Sequence, residues 1–167
     1  MNDALYEHLV TRKSRFTDTL IRIGVIVALV LIVIIGMQTV VGSMIILIVA
    51  ILGFLAHTFI FTKLNVEYEY TLLNHDIDID AIYSKAKRKK QLSFDFQKAE
   101  IIAPKKSHRI RSYQPEKTYD FTSGLPDANI YAIMTNIEAK RVCILIEPDQ
   151  GMLDFMKPWM GSRIHFD

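Results

Sequence analysis

The sequence predicts an α+β membrane protein: a two-helix transmembrane hairpin, then a mainly-β domain of seven antiparallel strands plus a C-terminal helix. Three observations carry this. Residues 23–62 contain no Asp, Glu, Lys or Arg. That block is interrupted near its midpoint by Gly36, Gln38, Thr39, Gly42 and Ser43. Beyond it, apolar residues alternate with period two, and after Pro148 they switch to helical spacing. The expected segments are 1–19, an amphipathic juxtamembrane stretch; 20–62, the hairpin; and 63–167, a cytoplasmic domain.

In the first segment Asn2 or Asp3 is a helix cap. Leu5, Leu9 and Phe16 share one side with Tyr6 nearby, while Glu7, Arg12, Lys13 and Arg15 are polar. This predicts a short amphipathic helix lying near the inner membrane surface.

The apolar block divides into Leu20–Met37 and Val40–Phe61. Read as one helix, forty residues would extend about 60 Å, twice the hydrocarbon core. Two antiparallel spans with a tight turn fit better. A signal peptide plus one span fits less well, because no small-x-small cleavage site follows the first run. Arg12, Lys13, Arg15 and Arg22 flank the entry, Lys63 flanks the exit, and the turn has no Lys or Arg. The positive-inside rule then places both termini in the cytoplasm, making this an integral inner-membrane protein with two spans. Gly24 and Ala28, and separately Ala50, Gly53 and Ala56, form small-residue strips that allow close helix approach. His57 reads as a neutral residue near the inner interface.

The seven strands follow in order. Val66 to Leu72 alternates, then Asn74-His75 turns the chain. Ile77, Ile79, Ala81 and Tyr83 alternate with Asp76, Asp78 and Asp80, and a basic turn spans Ser84 to Lys90. Leu92 to Phe96 is third, and Ala99 to Ala103 fourth, stopping at Pro104. After a polar loop, 105–116, come Tyr119–Phe121, Ile130–Met134 and Val142–Ile146, with Asn136 expected to turn the last two. Pro148 and Asp149 start a helix whose Met152, Leu153, Met156, Trp159 and Met160 should close the core.

Seven strands and a C-terminal helix is the order of a pleckstrin-homology fold. The chain resembles a family of small bacterial membrane proteins with a two-helix hairpin before a bacterial PH-like domain. The resemblance rests on Glu67-Tyr68-Glu69-Tyr70-Thr71-Leu72, the Asp-Ile-Asp-Ile-Asp strand, the following Lys/Arg run, and Glu100-Ile101-Ile102-Ala103-Pro104. It implies a fold and a location rather than a reaction. In phosphoinositide-binding PH domains the first inter-strand loop supplies basic ligands. Here that loop is Leu73 to His75 and has none.

The chain carries 20 basic and 18 acidic residues, too balanced for a dedicated nucleic-acid binder. Cys143, the only cysteine, sits in an apolar run and reads as core. The histidines are scattered without metal-ligand spacing, and Asp76, Asp78 and Asp80 lack the glycine and polar neighbours of a calcium loop. No phosphate loop or triad is legible, so no catalytic residue, metal or cofactor is expected, and the protein reads as a non-enzyme. The remaining signals are two basic clusters: Lys85, Lys87, Arg88, Lys89 and Lys90, then Lys105, Lys106, Arg109 and Arg111. They are candidates for lipid-headgroup contact.

The expected function is a membrane-anchored interaction module, held at the inner leaflet and binding a protein partner or the anionic lipid surface. The alternative is a small accessory subunit of a larger membrane complex, bound through its hairpin. In a simple meander both basic clusters fall on the membrane side and the loop from Gly124 to Asp127 on the far side.

Overall fold

A computed structural model describes residues 5–38 and 42–166. Two compact units emerge. One is Ser14–Val66; the other joins the N-terminal strand to the block from Glu67 onward.

The apolar unit contains α1 (Phe16–Gly36) and α2 (Gly42–Ala56), the latter continuing through a π-helical turn, His57–Phe61, into α3 (Thr62–Leu64). Phe16–Gly36 and Met44–Leu64 are each 21 residues long and apolar enough to cross a membrane. Asp18, in the first turn of α1, accepts the Arg15 backbone N–H at 2.9 Å. Gly36 admits the Ile45 side chain where its own Cβ would stand, so the two helices approach closely there. The caps expected at Asn2 and Asp3, the turn residue Thr39 and the Ser43 side chain lie outside the described residues.

The second unit has eight strands rather than seven. The additional one is β1 (Leu5–Thr11), which pairs antiparallel with β2 (Val66–Leu73) from Leu5↔Leu73 to Thr11↔Glu67. This corrects the expected amphipathic helix. Tyr6, His8 and Val10 turn toward the core in strict alternation, and Val10 is buried. Leu5 and Leu9, which suggested a helical stripe, face outward and are exposed. The physical reason is the open edge of β2, whose unpaired backbone groups are satisfied by a neighbouring strand.

β3 (Asp76–Tyr83) and β4 (Lys87–Asp95) complete the first sheet, in the order β1-β2-β3-β4. The turn expected over Ser84 to Lys90 is shorter. Ser84 and Lys85 take positive φ, the Ala86 N–H bonds to the Tyr83 carbonyl at 3.1 Å, and Lys87–Lys90 belong to β4. A 3-10 turn, Phe96–Lys98, leads out.

The second sheet holds β5 (Ile101–Pro104), β6 (Lys117–Asp120), β7 (Tyr131–Ile137) and β8 (Lys140–Ile146), in the order β5-β7-β8-β6. The β7–β8 turn is Glu138-Ala139, both with positive φ, two residues beyond Asn136. β6 lies parallel to β8, so the expectation of a wholly antiparallel meander fails at this strand. The 105–116 segment is a crossover, because β5 and β6 run in the same direction.

The last helix, α4 (Gln150–Met160), buries Met152, Leu153, Met156 and Met160 against Tyr70, Leu72, Ile77, Ile79, Phe96, Ile133 and Ile144. Asp149 caps it, accepting the Met152 N–H at 2.8 Å. The Tyr6 hydroxyl donates to the same carboxylate, and His8 Nδ1 lies 3.4 Å from it. The start of α4 is thereby fastened to β1.

Candidate functional site

The sheet separates the first basic cluster into two faces. Arg88 pairs with Glu69 and Asp80, and Lys90 pairs with Asp78 at 2.9 Å. Asp78, Asp80 and Glu69 form the outward face of β2 and β3, since Ile77, Ile79 and Ala81 point inward and are buried. Burial raises the pKa of Asp78, but the Ser93 hydroxyl and Lys90 outweigh it and hold the carboxyl below its usual range. Among the described residues, Lys85, Lys87, Lys89, Lys105, Lys106 and Arg111 make no ion pair. All six are exposed.

Strand register shows which ends of this unit they occupy. Thr11 opposes Glu67, so the chain enters and leaves the first sheet at one end, and the Ser84–Ala86 tip is at that end too. Pro104 opposes Tyr131, Tyr131 opposes Ile146 and Asp120 opposes Leu145, which defines one end of the second sheet. The Lys13 N–H bonds to the Ser123 carbonyl at 2.8 Å, so this end meets the chain entry of the first. Lys105 and Lys106 leave from it. The crossover that carries Arg109 and Arg111 runs from there to the other end, where the Glu116 N–H reaches the Arg141 carbonyl at 2.9 Å.

The Gly124–Asp127 loop corrects the meander expectation. It follows β6 and sits at the Ser123 end, beside Lys105, whose N–H bonds to the Ile130 carbonyl at 2.8 Å. The cause is the parallel seating of β6. Leu125 in this loop is exposed.

Burial raises the Cys143 thiol pKa, with Lys105 pulling the other way, so the thiol is held protonated in the core. A third cluster escaped the sequence: His75, Asp76 and Asp95 come together beside Trp159. Their spacing gives no motif, because the three side chains come from a turn and two strand ends.

A two-sheet domain closed by one helix, following two helices long enough to span a bilayer, defines a PH-like protein with candidate membrane spans. The chain matches the family model for the bacterial PH-like domain (DUF6106) over residues 2–166, and belongs to that family. No curated protein and no solved structure matches it.

Proposed function

We propose that this is a membrane-anchored, non-enzymatic interaction module whose PH-like domain rests on the anionic inner leaflet. The supporting observation is the position of the unpaired cations. Lys85, Lys105 and Lys106 lie at the end of the domain from which both connections to the apolar helices depart, with Lys87 and Lys89 adjoining. Exposed Leu125 shares that end. Each Lys near an anionic leaflet contributes about 1 kcal/mol, screened beyond roughly 8–10 Å. Four or five orient a tethered domain. Arg88 and Lys90 contribute less, being held by carboxylates.

The test uses the full chain in nanodiscs, with Cys143→Ala and a fluorophore on Ala86→Cys. Headgroup-level spin-labelled lipid should quench the label in anionic discs, less so as salt rises, and much less in neutral discs. Replacing Lys85, Lys87, Lys89, Lys105 and Lys106 by Gln should reduce the quenching. Equal quenching in neutral and anionic discs, indifferent to salt, would refute the reading.

A further inference from the structure

We propose that His75, Asp76 and Asp95 bind a divalent first-row transition-metal cation. Asn74 takes a left-handed conformation, φ 56°, and delivers His75 to the end of the β2–β3 turn. Asp76 and Asp95 stand directly opposite each other in the β3–β4 register. Two like charges facing across a strand pair weaken it unless a cation intervenes. His75 Nδ1 lies near both carboxylates, 3.5 Å from Asp76 Oδ1 and 3.3 Å from Asp95 Oδ1. That nitrogen is buried and makes no hydrogen bond. One ligand atom from each residue lies within 4.8 Å of the others.

The two distances from Nδ1 suit a shared metal. Ligands bound at about 2.0–2.2 Å stand roughly 3.0–3.5 Å apart along the edges of a tetrahedron or octahedron. The donor set also indicates the class. An imidazole with two carboxylates selects borderline cations such as Mn²⁺, Fe²⁺, Ni²⁺ or Zn²⁺ over Ca²⁺, which takes oxygen ligands. Asp76 is 61% exposed, which leaves room for water at the remaining positions. Lys98 approaches the other Asp95 oxygen, Oδ2, at 3.4 Å. Part of the negative charge is thereby balanced, while Oδ1, which accepts the Gln97 N–H at 2.9 Å, keeps a lone pair on the imidazole side. The cation would tie the β2–β3 turn to the end of β4, at the opposite end of the first sheet from the Ser84–Ala86 tip.

Trp159, the sole tryptophan, lies edge-on to the His75 ring at 5.7 Å between centroids, and serves as reporter. The full chain in detergent, stripped with chelator, is titrated with Ni²⁺, which quenches nearby indoles. Saturable quenching is expected, reversed by Zn²⁺ and not by equal Ca²⁺. His75→Gln and Asp95→Asn should each weaken binding at least tenfold. Asp76→Asn changes only an exposed side chain, so its loss of affinity cannot be attributed to unfolding. Lys98→Met should tighten binding by removing a competing charge. Quenching without saturation, reversal by Ca²⁺ as readily as by Zn²⁺, or an unchanged midpoint in Asp76→Asn and His75→Gln would overturn the proposal.

Discussion

Gly151 is where the last helix makes room for the N-terminal strand. A Cβ there would run into the Tyr6 hydroxyl, which is fixed by Asp149 and by the Phe155 ring at 6.0 Å. Alanine favours a helix by up to about 1 kcal/mol, but displacing a pinned aromatic costs roughly 1–3 kcal/mol. Gly151→Ala should therefore lower the melting temperature of the solubilised chain, and in a Tyr6→Phe background the loss should shrink. Burial raises the pKa of Asp149; the Tyr6 hydroxyl, the Met152 N–H and His8 outweigh it, and the net shift is downward. A depressed carboxyl gives stability that is full above its unfolded value, about pH 4, and lost as pH falls through the folded one. Wild type and Asp149→Asn should thus differ most near neutrality and converge in acid melts. Tyr70 gives the opposite limb. Burial pushes its hydroxyl well above the usual range, against a small lowering by the Glu147 N–H. Its contribution is complete below about pH 10 and falls as pH rises beyond that. Tyr70→Phe should remove part of the alkaline destabilisation while losing the 2.7 Å bond to the Phe121 carbonyl, about 1 kcal/mol, at neutral pH.

At the scale of elements, β1 separates two readings of the same seven residues. Leu5 and Leu9 are four apart and support a helix, whereas Tyr6, His8 and Val10 support a strand. In so short a segment both periods fit, and the deciding term is the β2 edge, some sixty residues away. Val10→Asp, which buries a charge, should destabilise the domain by several kcal/mol, whereas Leu9→Thr should change stability by under about 0.5 kcal/mol. Denaturant melts distinguish them; equal losses would favour the helix. The strands from β2 to β5, and β7, β8 and α4, were legible because alternation and punctuation are local properties. The parallel seating of β6 was not, since nothing in Lys117–Asp120 records which neighbour it joins. The basic residues were legible as a run, yet which of them are neutralised depends on Glu69 and Asp80 across the sheet. The His75 cluster was invisible for the same reason: Asp76 meets Asp95 only through register.

For the whole molecule, the domain is discontinuous in sequence. A fragment starting at residue 63 lacks β1, leaves one edge of β2 unpaired and exposes Tyr70 and Leu72 at that edge. It should aggregate or melt well below a version in which the N-terminal strand is joined to residue 66 by a short linker. Calorimetry of the two fragments checks this. In the full chain with Cys143→Ala, a cysteine at Ser43 should label from outside the cell, and one at exposed Ser112 only after permeabilisation. The reverse pattern would invert the proposed orientation.

The pairing of Thr11 with Glu67 also sets an order of events during synthesis. The first strand leaves the ribosome long before its partner exists, and on the proposed membrane anchoring it waits while two apolar segments are delivered to the bilayer. A chain that inserted one span, or left its two flanks on opposite sides, would leave the strands separated by the membrane with no route to each other. On the proposed anchoring, completion of the sheet would act as a parity check. On that anchoring only an even number of crossings lets the domain finish folding, and a mis-inserted chain carries an open β edge.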